Sequence, residues 1–221
     1  MSRRVSGLER KRQIIDAAAT LFSQRGFRGT TTREIAETVG VSEAALFRYY
    51  ANKDALYRAI IDAKSKTEDV VAAAREAAER GDDRGVFEAV ALTLMEGTTE
   101  DSTLMRLLLF SALEGHDLST IFFETRVRRL HRFLRRYIET RIAAGAFRTI
   151  DPLLAARSFV GMVIHHLLIH ELFGVKRPPR YSPGKVVETF VNLFLGGIRV
   201  VPARGEDGQR RSANVSAHRE R

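Results

Sequence analysis

Residues 29–61, GTTTREIAETVGVSEAALFRYYANKDALYRAII, decide the fold of this chain. Thr31 and Glu34 have the spacing of a capping box, in which the hydroxyl accepts an orphan N–H of the first turn and the carboxylate reaches back to the N–H of the cap. A helix is therefore predicted to begin at Thr32. Ile35, Ala36 and Val39 share one face of it, and Gly40 permits the positive φ that ends it. Val41 plugs the corner. Ser42 is an N-cap for a second helix of barely two turns, with Glu43 at the positive end of its dipole and Ala45, Leu46 and Tyr49 spaced to pack inward. Asn52 caps a third helix beginning at Lys53-Asp54, whose Leu56, Tyr57, Ile60 and Ile61 recur at helical spacing.

Two short helices around a glycine-containing corner make a helix-turn-helix, whose second helix can lie in the DNA major groove. The runs Thr31-Thr32-Arg33-Glu34-Ile35-Ala36, Gly40-Val41-Ser42, Leu46-Phe47-Arg48-Tyr49-Tyr50 and Lys53-Asp54-Ala55-Leu56 resemble the DNA-binding segment of the TetR family of transcriptional repressors. The agreement holds in order from Ile14 to Leu56, which is far more specific than a bare Gly-Val-Ser. The resemblance implies a dimer built by the last two long helices and an inducer site inside the C-terminal helices. It also implies base or backbone contacts at Arg33, Glu43, Ala44, Phe47, Arg48 and Tyr49. Tyr49 stands where the family often has His, and Phe47 stands where Tyr is frequent and lacks the hydroxyl that would bond a phosphate.

The composition agrees with a globular chain of 221 residues, 44% hydrophobic and 29% charged. Without cysteine it has neither a disulfide framework nor a thiolate zinc site, as fits a reducing cytoplasm. A formal net charge of +9 points to a polyanionic partner, because Lys and Arg that neutralise phosphates release counterions. Arg3, Arg4, Arg10, Lys11 and Arg12 lead into an amphipathic helix and not into a secretory apolar segment. The most apolar run, residues 153–173, carries Arg157, His165, His166, His170 and Glu171 and makes a poor membrane span, so no membrane partner is expected.

Taken in order, residues 1–8 read as a flexible arm, 9–63 as the helix-turn-helix domain, 64–201 as a helical regulatory and dimerisation domain, and 202–221 as a disordered basic tail. Ile14, Ile15, Ala18, Leu21 and Phe22 form one stripe on a first helix, which Gly26 stops and Phe27 follows as a core plug. From Lys53 to about Glu79 the composition predicts one long helix joining the domains, with a break between Ser65 and Thr67 as the alternative. Further helices are expected at about 86–96, 102–113, 118–144, 152–173 and 185–200, punctuated by Gly97, Gly115, Gly145 and Gly174. No stretch alternates long enough to argue a sheet, so the fold class is all-α. Residues 118–144 place Arg126, Arg128, Arg129, Arg132, Arg135 and Arg136 off the apolar face, as a solvated surface. The last two helices are apolar on more than one side, which calls for a second buried surface, most simply in a homodimer.

Contacts that position the chain on DNA separate from contacts that read it. Thr31, Thr32, Tyr49 and Lys53 suit phosphate through hydroxyls and an ammonium. Arg33, Ser42, Glu43, Ala45 and Arg48 can reach base edges. Within the body, Met95, Met105, Leu108, Phe122, Phe123, Met162, His165 and His166 are the candidate lining of a small-molecule pocket. His166 and His170, with Glu171 near, lack a clear third ligand, and no metal or cofactor is expected. Ser182-Pro-Gly-Lys185 reads as a helix entry, and no nucleophile constellation argues for an enzyme. The expected function is a dimeric, sequence-specific DNA-binding regulator, a repressor that a small inducer releases from a palindromic operator.

Overall fold

The structure is a computed structural model that describes residues 6–200 apart from 66, 177 and 179, with backbone alone at 67–69, 97, 99 and 100. The tail expected at 202–221 and the first five residues of the expected arm lie outside it. Among the described residues every regular element is helical, and the single antiparallel bridge joins Phe147 to Arg199. The chain runs through α1 (Gly7–Arg25), α2 (Thr32–Thr38), α3 (Glu43–Phe47), α4 (Lys53–Lys64), α5 (Thr67–Glu79), α6 (Asp83–Glu100) and α7 (Thr103–Leu113). It continues through α8 (Asp117–Phe122), α9 (Arg128–Ala143), α10 (Pro152–Leu167) and α11 (Pro183–Ile198). π-helical turns at Phe123–Val127 and Leu168–Leu172 join α8 to α9 and prolong α10.

Three expectations change. Gly7 and Leu8, expected in the arm, are helical, because the Ser6 hydroxyl accepts the N–H of Glu9 at 3.1 Å and starts α1 at Gly7. The long helix from Lys53 to Glu79 is divided: α4 ends at Lys64, and its C-cap Ser65 has an extended ψ of 120°. Serine hydroxyls compete for backbone hydrogen bonds, so Ser65 lowers the cost of leaving the helix there. Gly97 does not stop α6, which continues to Glu100.

Two cores form. The first joins Ile14, Ala18 and Phe22 of α1 to Ile35, Ala36, Leu46, Leu56, Tyr57 and Ile60, and it takes in Leu107 of α7 and Leu118 of α8. The helix-turn-helix is thus closed by the body as well as by α1. The second core centres on Phe87, Phe159 and Phe194, whose ring centroids lie 4.8–5.1 Å apart in edge-on and tilted pairs. At its edge the carboxylate of Asp83 accepts the Tyr137 hydroxyl at 2.8 Å and Arg141 Nε at 2.7 Å, with Arg199 at 3.4 Å, which ties α6 to α9 and α11.

α10 buries Ala155, Ala156, Phe159, Val160, Val163 and Leu167 in that core. Its run Pro152–Leu172 is long and apolar enough to cross a membrane by composition. Here that apolarity is divided between the core and side chains left exposed, Leu154 on the outward side and Ile164 toward a cavity, while Leu193 of α11 is exposed as well.

Candidate functional site

The geometry of the head follows from its caps. Thr31 accepts the N–H of Glu34 at 3.2 Å, and the Glu34 carboxylate accepts the N–H of Thr31 at 2.8 Å and Arg25 Nη1 at 3.0 Å. These hydrogen bonds, the Thr31 N–H first among them, hold the Glu34 carboxyl below its ordinary value. At the corner Gly40 has φ 67°, and Val41 N–H reaches Ala36 O at 3.0 Å. Arg10 Nη1 donates to Val39 O at 2.9 Å, so α1 caps the free end of α2. Ser42 then accepts the N–H of Ala45 at 3.2 Å, and α3 starts.

On this scaffold Thr31, Arg33, Ser42, Glu43, Ala44, Phe47 and Arg48 are exposed, while Thr32, Ala45 and Tyr49 are half-buried. Arg48 and Tyr49 lie just beyond the last turn of α3, with Tyr49 N–H bonded to Leu46 O at 2.9 Å. The Thr32 hydroxyl donates to the Glu43 carboxylate and links the starts of α2 and α3. Arg33 pairs with Glu37 at 3.0 Å on a solvated surface, an association too weak to hold it from another anion. Phe47, 41% exposed, presents an apolar ring beside the Arg48 cation. Nine expected contact residues, Thr31, Thr32, Arg33, Ser42, Glu43, Ala44, Ala45, Phe47 and Arg48, fall in this short caps-and-corner segment, with Tyr49 next to them.

Lys53 is placed differently. Its ammonium donates to Phe27 O and sits 4.2 Å from the centroid of the Phe27 ring, and desolvation lowers its pKa against the opposing pull of Glu114, Asp54 and Glu34. That charge is engaged inside the head, in a seam where α7 meets the turn after α1. Glu114 accepts Phe27 N–H at 3.0 Å and Arg28 N–H at 3.3 Å, the Tyr57 hydroxyl donates to Leu107 O at 2.8 Å, and His116 Nε2 lies 3.1 Å from Asp54.

A cavity of about 630 Å³ opens on the other side of α7. Met105, Leu108, Phe122 and Phe123 line it as expected, joined by Leu104, Leu109, Leu130, Val160 and Ile164. Met95, Met162, His165 and His166 do not line it. Met95 is wholly inside the body core, Met162 packs against that core, His165 is exposed on α10, and His166 meets His170 edge-on with centroids 4.5 Å apart. The sequence reading missed Lys64 and Asp101, which face the cavity and pair at 2.9 Å. Burial raises the Asp101 pKa, but hydrogen bonds from Thr103 and Lys64 outweigh it and hold the carboxyl below its ordinary value. A lysine in the last turn of a helix reads from sequence as a dipole partner, so nothing local announced it.

Comparison with known proteins accounts for both halves. Residues 14–60 match the profile of bacterial regulatory proteins of the tetR family, and residues 85–197 match that of the AefR-like transcriptional repressor C-terminal domain. YvkB of Bacillus subtilis, an uncharacterized HTH-type transcriptional regulator, is 26% identical over 187 residues, covering 85% of this chain and 96% of YvkB. TtgR of Pseudomonas putida, an HTH-type transcriptional regulator, is 32% identical over 99 residues. That match spans 45% of this chain and about half the length of TtgR, 47%. The solved structure of AibR in complex with isovaleryl coenzyme A and operator DNA resembles this fold with a TM-score of 0.64 at 26% identity, covering 84% of this chain and 97% of that one.

Proposed function

Because the chain belongs to the TetR family of bacterial regulatory proteins, we propose that it is a dimeric, sequence-specific repressor that a small apolar ligand releases from a palindromic operator. DNA binding and regulation of transcription are what the family does; dimerisation, repression and release are the proposal. It acts in the cytoplasm, where its DNA is.

The observation that carries the release step is the double role of α7. Leu104, Met105, Leu108 and Leu109 line the cavity, whereas Leu107 and Glu114 hold the head. A ligand that favours another position of α7 therefore favours another position of the head. The coupling operates only through differential affinity for the two arrangements. AibR, whose structure contains both isovaleryl coenzyme A and operator DNA, lends support for an organic ligand here.

Dimerisation is supported by the outward side of α10 and α11. Leu154 and Leu193 stand 60% and 65% exposed, and Gly161 and Gly196 leave open space where a Cβ would stand, so a partner helix can approach closely. A two-fold axis there presents two α3 helices to successive major grooves, roughly 34 Å apart or a multiple of that, on a pseudo-palindromic site. Within each head Arg33, Ser42, Glu43, Ala44, Ala45 and Arg48 serve base edges, with Phe47 as an apolar contact, and Thr31, Thr32 and Tyr49 serve phosphates.

A mobility-shift titration with the DNA flanking the gene for this chain tests the proposal. Binding that survives nonspecific competitor and weakens with apolar small molecules is expected; no binding at any salt concentration refutes it.

A further inference from the structure

Among the described residues lining the cavity, Lys64 and Asp101 are the charged ones, and they sit where the two cores meet. Lys64 ends α4. Its ammonium lies 2.9 Å from Asp101 Oδ2, at the close of α6, and 3.8 Å from Asp16 Oδ1 of α1. A second hollow, about 450 Å³ and lined by Leu8, Lys11, Arg12, Ile15 and Asp16, shares Ala63 and Lys64 with the first. Lys64 thus stands between an apolar chamber and a basic vestibule.

We propose that the cavity takes an amphipathic ligand, an apolar chain ending in an anionic head group, and that the head group replaces Asp101 at the ammonium of Lys64. The inference rests on the reading of the cavity as a ligand site and adds the chemical class of what fills it. The two members of the ion pair are unequally replaceable. Asp101 keeps the Thr103 N–H, 2.9 Å from its Oδ1, when the lysine leaves. Lys64 has, besides Asp101, the longer contact to Asp16, so it is the partner that accepts a new anion. The surroundings favour the same sign. Among the described residues that line the two hollows, Lys11, Arg12 and Lys64 outnumber Asp16 and Asp101, so a carboxylate or phosphate meets a net positive rim and a cation meets repulsion. The chain of the ligand occupies the space beside Leu104, Met105, Leu108 and Phe122, and a bulkier head extends past Lys64 toward Lys11 and Arg12. Because Lys64 also touches Asp16, the exchange loosens a tie between α1 and the end of α6.

Calorimetric titration of the full chain with decanoate, decyl phosphate, decan-1-ol and decylamine tests this. Both anions are expected to bind about tenfold more tightly than decan-1-ol. Lys64→Gln should remove that preference and leave the alcohol unchanged, Lys64→Arg should retain it, and Asp101→Asn should strengthen both anions. Lys11→Gln with Arg12→Gln should weaken decyl phosphate more than decanoate if the natural head is a phosphate, and weaken neither if it is a carboxylate held by Lys64 alone. Equal binding of alcohol and anions, tightest binding of decylamine, or weaker anion binding by Asp101→Asn overturns the inference while the cavity remains a ligand site. Binding of none of the four removes the ligand site and the inference together. If Lys64→Gln does not fold, the direction of the Asp101→Asn effect decides.

Discussion

The carboxylate of Glu114 accepts the backbone N–H of Phe27 at 3.0 Å, across 87 residues of sequence. That bond fastens the turn after α1 to the end of α7, and Gly26 makes room for it. A Cβ built on Gly26 would stand 2.3 Å from Glu114 Oε1, and its φ of 73° with ψ of 178° is a conformation that side chains avoid.

Glu114→Ala leaves the half-buried N–H of Phe27 without its acceptor and should cost about 1–3 kcal/mol in chemical denaturation. Gly26→Ala should cost a similar amount through backbone strain, about 1–3 kcal/mol. Since part of its penalty is the clash with Glu114, the double variant should lose less than the sum of the two. Strict additivity would show that Glu114 and the turn do not act as a unit.

Arg48 and Lys53 should separate in a DNA-binding assay. Arg48 is exposed beside α3, so Arg48→Ala should cost about 1–3 kcal/mol at particular base pairs and relax preference there. Lys53→Ala removes an ammonium engaged with Phe27 and should lower the melting temperature of the protein while leaving the salt dependence of operator binding unchanged. A fall of about one unit in the salt slope for Lys53→Ala would return Lys53 to the phosphate contacts.

Alkaline pH should weaken the seam between head and body. Burial, and after it the charge of Glu114, pushes the Tyr57 phenol above the ordinary tyrosine value of 10.0. A pKa raised on folding gives stability that is complete below the unfolded value and is lost as pH rises through the folded one. Tyr57→Phe removes the hydrogen bond to Leu107 O, so at neutral pH it should be less stable by about 1 kcal/mol. The deficit should shrink above pH 10.0, where only the tyrosine protein is penalised. A constant gap in urea midpoints across that range would contradict this.

Leu193→Arg tests the paired surface. The side chain is 65% exposed in the single chain, so its replacement should leave the far-ultraviolet spectrum intact. Light scattering should report half the mass of the wild type, and operator binding should fall because one head must then hold the DNA alone. An unchanged mass would move the interface elsewhere.

Much of the head was legible because it is written in local chemistry. Thr31 with Glu34, Ser42 with Ala45 and Asn52 with Ala55 close hydrogen bonds three residues apart, so residue identity and spacing suffice to place each helix start. The two-sided apolarity of α10 and α11 was equally plain, since helical periodicity shows how many faces seek cover.

Periodicity does not say what a buried face meets. Met95 and Met105 look alike in sequence, yet one fills the core and the other borders the cavity. Ser65 left the linking helix open to either reading, because hydroxyl competition shifts a helix boundary by little free energy and packing decides it. The sequence by itself determined an all-α chain with a capped helix-turn-helix and an apolar outer surface. Tertiary structure alone decided that α7 serves head and cavity at once, that Lys53 faces inward and that Lys64 meets Asp101 across 37 residues. Caps and turns are closed by near neighbours in the chain, whereas cavities and long-range ion pairs depend on how whole helices stack, and no short window of sequence contains that information.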